Sequence, residues 1–374
     1  MGLKDIREVK DLKGKKVLLR STLDVPTKNG KIINNFRLRN SLKTINFLKE
    51  SGAKTILIGH IGRGEDVSLF PVYEYLKTQI SLSFTQEVLG EKTNTTIEQM
   101  NDGDIVLLEN LRKHKDEVTN NDEFAKALAL LADVYVNDAF SASHREHASI
   151  IGVPKYLDSF AGILFQEELK KLSEALNPPS LSLCILGGAK FATKEPLIEK
   201  LLNIYDKIFI SGAIANDFFK CKGFNIGRSL ISDIDIDIEE LIKNEKIMIP
   251  IDVTVENNEG VIVKKLNEVS DDDKIVDAGP ETIEKLSKLI NDARFILWNG
   301  PLGEYERSFG KSTEAVAKMV AESQTKTLIG GGDTIASIEH LGLDDKFSFV
   351  STGGGAMLQF LLNGTLVGIE ALKD

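Results

Sequence analysis

Short apolar runs alternate with amphipathic stretches along the first half of the chain. Each run ends at a polar residue or a glycine, and a stretch with the helical spacing of apolar positions follows it. The clearest runs are Lys16–Arg20, Thr55–Gly59, Ile105–Leu108 and Val134–Val136, and the clearest helical stretches are Leu38–Glu50 and Asp122–Leu131. This alternation predicts βα units that build a mainly parallel sheet.

The second half repeats the rhythm, and nearly every apolar run ends on glycine or a polar turn. Strands are predicted over Leu183–Leu186, Lys207–Ile210, Lys246–Val253, Phe295–Trp298, Thr327–Ile329 and Ser348–Val350. Two acidic runs, Asp233–Glu240 and Asp271–Asp273, are expected in solvated loops or helix starts. The pattern therefore predicts an α/β fold with mainly parallel sheets in both halves.

A boundary separates the halves. Gln166–Leu176 is a good helix former, and Asn177-Pro178-Pro179 closes it. Because proline cannot continue a helix, this pair is the best boundary signal in the chain. We expect the helix to join two lobes.

Composition supports two domains and narrows the partners. The chain has 374 residues, 42% of them hydrophobic, and a formal net charge of −10. The length favours two domains, and the negative charge argues against nucleic acid or an anionic membrane as a general partner. The two cysteines, Cys184 and Cys221, form no disulfide framework, and no apolar segment is long enough to cross a bilayer or resembles a signal peptide. We expect a cytoplasmic protein.

Basic residues cluster after the predicted strands of the first half. Ligands of open α/β sheets bind at the carboxyl ends of the strands, and converging guanidinium groups match phosphate and carboxylate oxygens. The pattern thus predicts a site for a small polyanion, although each arginine by itself could pair with a nearby acid such as Glu109, Asp138 or Glu146. The basic residues are Arg20, Arg37, His60, Arg63, Arg112, His144, Arg145 and His147.

Glycines take the equivalent positions in the second half, where backbone N–H groups can bind phosphate. They lie in Gly187–Lys190, Gly212–Ala213, Gly300–Gly303, Gly330–Gly332 and Gly353–Gly355, with Lys190 and Lys194 as mobile charges. Neither GxGxxG nor GxxxxGK[ST] occurs, which excludes the common dinucleotide and P-loop motifs.

The stretch Thr327–Ile338, TLIGGGDTIASI, has two interpretations. Glycines before Asp333 and Thr334 fit a nucleotide phosphate, with Mg²⁺ between the carboxylate and the anion, but they also fit a plain strand-to-helix turn. A small acid in one lobe and a nucleotide in the other together favour phosphoryl transfer.

These motifs together resemble the phosphoglycerate kinase family. The likeness is carried by RSTLDVP, NNFRLRNSLKTI, GHIGR, LLENLR and DVYVNDAFSASHREHAS in the first half, and by LGGAK, WNGPLG, GGGDT and STGGGA in the second. The resemblance implies two Rossmann-like lobes that close about a hinge. It also implies Mg²⁺-dependent transfer of a phosphoryl group between 1,3-bisphosphoglycerate and ADP, which gives 3-phosphoglycerate and ATP. We expect residues 1–165 with 360–374 as the phosphoglycerate lobe, 166–177 as the interdomain helix and 178–359 as the nucleotide lobe.

The resemblance also implies roles for individual residues. Substrate binding falls to Thr22, Asp24, Arg37, His60, Arg63, Arg112 and Arg145, and the transferring group to Arg37, Lys190, Gly332 and Gly355. Nucleotide binding falls to Gly188, Ala189, Lys190, Lys194, Gly212, Asn299, Pro301, Gly303, Glu306, Gly331, Gly332, Asp333 and Thr334, and Mg²⁺ to Asp333.

The sequence departs from the family pattern R-x-D-x-N-V-P, since Thr22 replaces the aspartate and Asp24 the asparagine. Glu304 likewise stands where an apolar residue is usual, close to the expected adenosine. These departures leave open a second hypothesis, a nucleotide-binding module without turnover. We favour an active, monomeric enzyme with altered kinetics, because the primary cations, Asp333 and the glycine loops are all present. The sequence does not distinguish ATP from another purine nucleotide.

Overall fold

The chain forms two compact α/β units. The computed structural model describes residues 2–189, 194–232 and 238–373. Unit 1 comprises Met1–Lys170 and Gly355–Asp374, and unit 2 comprises Lys171–Gly354. Each unit is built around one parallel sheet, so the predicted fold class is confirmed.

A six-stranded parallel sheet in the order β5-β6-β4-β1-β7-β8 forms the centre of unit 1. The strands are β1 (Lys16–Ser21), β2 (Thr27–Lys28), β3 (Lys31–Ile32), β4 (Lys54–Ile58), β5 (Ser83–Phe84), β6 (Ile105–Leu107), β7 (Val134–Asp138) and β8 (Ser159–Ala161), of which β2 and β3 form a separate hairpin. The helices are α1 (Phe36–Glu50), α2 (Phe70–Leu76), α3 (Glu91–Glu98), α4 (Lys115–Val118), α5 (Asp122–Ala129) and α6 (Ile163–Ala175).

The strand order of this sheet reverses next to β1. The chain moves from β1 outward to β4, and it returns on the other side to β7. A crevice opens at the carboxyl ends of two strands where the order reverses, which is the usual ligand position in such sheets. The segments that follow β1 and β7 therefore meet there.

Helix α6 begins at Ile163 and ends at Ala175, and the division between the units falls inside it, after Lys170. Its first turn is held by the buried carboxyl group of Asp138, whose Oδ1 accepts a hydrogen bond from the N–H of Phe165 at 3.1 Å. An acceptor at this place satisfies an N–H that has no partner within the helix.

Unit 2 contains a second six-stranded parallel sheet in the order β11-β10-β9-β15-β16-β17. The strands of this unit are β9 (Ser182–Leu186), β10 (Lys207–Ile210), β11 (Ile247–Met248), β12 (Asp252–Asn257), β13 (Gly260–Lys265), β14 (Lys274–Ala278), β15 (Phe295–Asn299), β16 (Lys326–Gly330) and β17 (Phe349–Val350), of which β12, β13 and β14 form a separate sheet. The helices are α7 (Glu195–Leu202), α8 (Ala213–Cys221), α9 (Glu239–Lys243), α10 (Pro280–Asp292), α11 (Lys311–Glu322) and α12 (Gly332–His340), while α13 (Gly355–Asn363) and α14 (Val367–Glu370) belong to unit 1. The order reverses between β9 and β15.

One predicted strand is wrong. Lys246–Val253 is not continuous but contains β11 of the parallel sheet and the start of β12. Pro250 lies between them and has no N–H to donate to a neighbouring strand, so it ends the first ladder. Strand β12 pairs instead with β13 and β14 in a three-stranded antiparallel sheet that the sequence interpretation missed. The other predicted strands are present, with ends moved by at most two residues.

The expectation for the acidic run Asp271–Asp273 is also wrong at its last residue. Asp273 is fully buried and accepts hydrogen bonds from Lys264 Nζ at 2.7 Å, Asn257 Nδ2 at 2.7 Å and the N–H of Ser270 at 2.8 Å. Burial opposes its charge, but these donors hold the pKa of Asp273 well below its usual value. Asp273 therefore connects the segment before β14 to β12 and β13. In the other run, residues 233–237 lie outside the described residues, and Glu239 begins α9.

None of the helices in the described parts of the chain combines the length and the apolar character that crossing a membrane requires.

Candidate functional site

The first part of the candidate site is a group of charged side chains in unit 1, beyond the carboxyl ends of β1, β4, β6 and β7. Asp24 follows β1, His60 follows β4, Arg112 follows β6 and Arg145 follows β7. Arg37 joins them from the first turn of α1. The charge of Arg145 lowers the pKa values of Arg37 and His60, after the larger effect of burial, so the three groups lie within electrostatic range.

Asp24 is surrounded by donors. Its Oδ1 accepts the N–H of Gly62 at 3.0 Å, and its Oδ2 lies 3.6 Å from Nε2 of His60 and 4.0 Å from Nη1 of Arg37. Arg37 Nη1 also donates to the backbone carbonyl of Asp24 at 2.7 Å. Burial would raise the pKa of Asp24, but His60, Gly62 and Arg37 outweigh it and hold the pKa below the usual value. The carboxylate is therefore charged at neutral pH.

The loop that follows β4 links the other cations. Arg112 Nη1 donates to the carbonyl of Gly62, while Arg63, the next residue, is exposed. Arg145 is half-buried, and its Nε lies 3.3 Å from Nε2 of His144. Arg63, Arg112 and Arg145 all keep donor groups for a further anion, because a guanidinium group has five N–H donors.

Thr22 contributes less than its position in the motif suggests. Its side chain is buried, and its hydroxyl donates to the carbonyl of Asp138 at 3.3 Å and accepts from Ser141 Oγ at 3.4 Å. One acceptor lone pair remains for a ligand.

Arg20 is not one of the ligand-facing cations. The sequence pattern placed it among them, but the residue is fully buried and its guanidinium donates to Ser21, Ser149 and His60. Its contact with the charged group of the candidate site is the one to Nδ1 of His60.

Two residues of this region were missed as functional candidates. Gly62 binds Asp24 through its N–H and Arg112 through its carbonyl. Asn110, which is fully buried, donates to the carbonyls of Ile61 at 3.0 Å and Val67 at 2.8 Å, and so fixes the shape of the loop. Both residues lie within the motifs GHIGR and LLENLR, but neither carries a charge, which is the property that marks the other residues of this group.

The second part is a cavity of about 350 Å³ in unit 2, at the carboxyl ends of β9, β10 and β15. Its size is in the range of small-molecule sites. Its lining includes apolar side chains and seven residues predicted for the nucleotide site, which are Gly188, Ala189, Gly212, Pro301, Gly303, Glu306 and Asp333. The structure thus brings seven predicted nucleotide residues to one cavity.

Glycine is required where the backbone segments that follow β9, β10 and β15 approach one another closely. A Cβ on Gly187 would lie 2.0 Å from the carbonyl oxygen of Pro301, and one on Gly300 would lie 2.4 Å from the carbonyl oxygen of Gly187. Gly212 has φ +65°, and a Cβ there would lie 2.6 Å from the nitrogen of Gly188. Only glycine permits this backbone approach.

The GGGDT segment forms the turn from β16 into α12. Gly331 has φ +98° and precedes the helix, while Thr334 Oγ1 accepts the N–H of Gly300 at 3.1 Å and keeps its own proton for another acceptor. Burial raises the pKa of Asp333, and the negative charge of Glu306 adds to this effect. Gly332 is exposed at the helix start.

The remaining predicted residues of the nucleotide site have mixed outcomes. Lys194 is buried, its Nζ donates to the carbonyl of Gly187, and burial lowers its pKa to about 8. Asn299 is buried at the end of β15. Gly355 begins α13 in unit 1, and Lys190 lies outside the described residues.

The unusual Glu304 also lines the cavity, and it is compensated. Its carboxylate accepts from Lys274 Nζ at 2.6 Å and from Arg307 Nη1 at 2.9 Å. Nη2 of Arg307 in turn lies 2.8 Å from Oε2 of Glu256. Burial opposes the charge of Glu304, but Lys274 and Arg307 lower its pKa. The cavity therefore gains a paired carboxylate rather than an isolated charge.

Comparisons with known proteins agree along the whole chain. The model of the phosphoglycerate kinase family matches residues 5–364. The phosphoglycerate kinase of Dictyoglomus turgidum is 40% identical over an alignment of 389 residues, which covers 99% of this chain and 98% of that one. That of Clostridium tetani is 41% identical and covers 97% of this chain and 96% of its own.

Two solved structures share the fold. The phosphoglycerate kinase from Coxiella burnetii superimposes with a TM-score of 0.84 at 35% identity, covering 99% of both chains. The enzyme from Pyrococcus horikoshii gives a TM-score of 0.89 at 29% identity, covering 99% of this chain and 98% of that one. The resemblance that the motifs carried is confirmed, and the chain belongs to the phosphoglycerate kinase family, a family of phosphotransferases with a carboxyl group as acceptor.

Proposed function

We propose that the chain binds 3-phosphoglycerate through the cations of unit 1 and a magnesium nucleotide in the cavity of unit 2. In this proposal Arg63, Arg112 and Arg145 hold the phosphate of the acid with His60 beside them, and Arg37 faces the transferring group and the carboxyl end of the acid. The observation that carries it is the separation of chemistry: guanidinium groups follow the strands of unit 1, whereas glycines and apolar residues line most of the cavity of unit 2.

The acid needs no general base in this reaction. Its carboxylate is already a nucleophile, so one oxygen attacks the terminal phosphorus of ATP and the bond to ADP breaks in line. Catalysis then consists of positioning and of cancelling the charge on the transferring group. We assign that charge cancellation to Arg37, Lys190 and the N–H groups of Gly332 and Gly355.

The nucleotide assignment follows the cavity. We place the adenine between Gly188 and Gly212, the base and ribose near Asn299, Pro301 and Glu306, and the phosphates at Lys194 and α12. Thr334 keeps a hydroxyl proton that can donate to a phosphate oxygen. The remaining assigned contacts are Ala189, Gly303 and Gly331.

Asp333 suits a magnesium ion. Among the described residues there is no cluster of three or more histidine, cysteine or acidic side chains, so no all-protein metal cage is present there. Mg²⁺ commonly takes one or two carboxylates and completes its shell with phosphate oxygens and water. Repulsion between Asp333 and Glu306 also disfavours the charged carboxylate, which a cation would reverse. The ion would neutralise charge on the nucleotide phosphates.

A coupled assay of acyl-phosphate formation from ATP and 3-phosphoglycerate, with and without Mg²⁺, tests this function. Arg112→Ala is expected to raise the KM for 3-phosphoglycerate with little change in kcat, because it removes binding that is equal in the ground and transition states. Arg228→Ala is the matched control, since that guanidinium is exposed and donates to the carbonyl of Asp272 in unit 2. Equal effects of the two variants would contradict the assignment.

Calorimetry distinguishes the enzyme from the binding-module hypothesis, which the comparisons do not support. Separate titrations with 3-phosphoglycerate and Mg-ATP are expected to show both ligands bound. Nucleotide binding without any binding of the acid would favour the module. We also keep a monomer in the cytoplasm as our working proposal, which sedimentation and cell fractionation test.

A further inference from the structure

A hydrogen bond from Arg20 determines which ring nitrogen of His60 carries the proton. In the described part of the chain it is the only contact of this ring within hydrogen-bond distance. Nη2 of Arg20 lies 2.7 Å from Nδ1 of His60. A guanidinium group has donors and no acceptor, so Nδ1 must be the unprotonated, accepting nitrogen. The proton of the neutral ring therefore sits on Nε2.

The guanidinium of Arg20 is itself held from three directions. Its Nη1 donates to the carbonyl of Ser21 at 2.7 Å, and its Nε donates to Ser149 Oγ at 2.9 Å. Since every part of Arg20 is buried, the side chain has no solvent to compensate a misplaced donor. Its orientation toward His60 is therefore fixed by these partners.

Glu117 supplies the opposite charge. Its Oε1 accepts the hydroxyl proton of Ser149 at 2.6 Å, and its Oε2 accepts the N–H of Ser149 at 2.9 Å. Burial would raise the pKa of Glu117, but His147, Arg20 and Ser149 outweigh it and lower the pKa. Arg20 therefore donates in two directions, through Ser149 to the carboxylate of Glu117 and directly to Nδ1 of His60, which leaves the proton of the ring as a donor at Nε2.

That last donor has no hydrogen-bond partner among the described residues. Nε2 of His60 is buried, and the nearest carboxylate oxygen, Oδ2 of Asp24, lies 3.6 Å away, beyond hydrogen-bond distance. A buried N–H without an acceptor is costly, so a ligand oxygen that reached it would be favoured. The contact with Arg20 thus leaves His60 with one unfilled N–H donor, which lies beside Asp24 of the candidate acid site.

We propose that Arg20, held by Ser149 and Glu117, is a positioning residue that keeps His60 in the Nε2–H tautomer and so makes it a permanent donor to the ionised acid. The inference rests on the proposed function and extends it to residues that cannot touch the substrate. Burial and the charges of Arg20 and Arg145 lower the pKa of His60 to about 4, against the attraction of Asp24, so the ring stays neutral in the working pH range. His60 then donates to an oxygen of the ionised acid and disfavours a ligand that offers a donor at the same place.

Nitrogen-15 NMR of the histidine rings in the full chain tests the tautomer directly. The chain has five histidines, and His60→Gln assigns the signal of interest. We expect His60 to carry its proton on Nε2 between pH 6 and 8. A proton on Nδ1, or a mixture of tautomers, would overturn the proposal. This measurement uses the unmodified protein and does not depend on turnover, so it can fail while the proposed function stands.

Kinetics test the positioning role. Ser149→Ala and Glu117→Gln are expected to raise the KM for 3-phosphoglycerate by about 10- to 100-fold, the value of one charge-assisted hydrogen bond, with kcat changed much less. Both should show a mixed His60 tautomer in the NMR spectrum. Ser159→Ala is the control, because that buried hydroxyl donates to the carbonyl of Leu157 in the same unit and should change neither quantity.

The outcomes separate cleanly. If the variants keep the Nε2–H tautomer and the wild-type KM, Ser149 and Glu117 have only a structural role and the proposal is wrong. If they fail to fold, the spectrum of the unmodified protein still decides the tautomer. If the unmodified protein forms no acyl phosphate, the proposed function fails instead.

Discussion

Replacing Asp24 with asparagine should tighten the binding of 3-phosphoglycerate. Asp24 is charged and accepts the N–H of Gly62 at 3.0 Å, and its carboxylate lies beside two donors that we assign to the acid, Nε2 of His60 at 3.6 Å and Nη1 of Arg37 at 4.0 Å. Asparagine is nearly the same shape. Its carbonyl oxygen can keep the bond to Gly62, and its amide adds a donor in place of a negative charge.

The size of the effect follows from the distances. A substrate carboxylate drawn to Arg37 would lie about as far from Asp24 as Arg37 does, roughly 4 Å. Two like charges at that separation repel by ~1 kcal/mol in water and by ~4 kcal/mol at an effective dielectric constant of 20. Because the Asp24 side chain is 33% exposed, the lower part of this range applies. We therefore expect a gain of about 1–2 kcal/mol, or a Kd lower by roughly 5- to 30-fold.

Isothermal titration calorimetry with 3-phosphoglycerate measures this gain. It should shrink at high salt, because added ions screen the repulsion that the substitution removes. It should also be constant above about pH 5, because the pKa of Asp24 is below its usual value and the group stays ionised there. Asp102→Asn is the control, since it removes one negative charge from an exposed turn before β6.

Weaker binding by Asp24→Asn would refute the reasoning. That result would mean that the carboxylate serves the acid by holding His60 and Arg37 in place, and that this organisation outweighs the repulsion. An unchanged Kd with an unchanged salt dependence would mean that the substrate carboxylate does not approach Asp24.

Three further substitutions test other parts of the structure. Arg37→Ala should lower kcat by ~10²–10³-fold and raise KM less, as expected for a group acting on transition-state charge, and an unchanged kcat would contradict this role. Gly212→Ala should weaken Mg-ATP binding and lower Tm more than Gly342→Ala does, because both have φ +65° but only the former Cβ meets backbone, at Gly188. Burial raises the pKa of Asp138 to about 7, so the free energy of unfolding should fall by up to about 4 kcal/mol as the pH rises from 4 to 7. Asp138→Asn should abolish this fall, which Tm measured against pH would show.

The parallel sheets could be predicted because their strands are buried on both faces and read as continuous apolar runs. The antiparallel sheet was missed for a specific reason. More and less buried residues alternate along much of β12 and β13. Asn257 pairs with Gly260 across a two-residue turn, which is a hairpin signal. Because βα units flank this region, the start of β12 was predicted as part of one parallel strand, Lys246–Val253. Pro250 was the signal that this strand is interrupted.

The burial of Arg20 could not be predicted from the same runs. Where one face of a strand is solvated, alternation tells which side chains point inward, but every residue of β1 from Val17 to Ser21 is buried. The pattern then gives no direction for Arg20, and a cation near the end of a strand was placed with the ligand-facing groups. The partners that settle its position, Ser149 and Glu117, are distant in sequence.

His60 lies between the buried Arg20 and Asp24, one of the departures from the family pattern. Arg20 acts on Nδ1 and determines which nitrogen carries the proton, whereas Asp24 lies near Nε2 and determines what that proton faces without a ligand. The two influences are therefore separable. A carboxylate at position 24 changes the strength with which the acid competes for His60, but it leaves the ring a donor, since nothing at Nε2 alters the guanidinium at Nδ1. For this reason an acid in place of the family's asparagine is compatible with substrate recognition.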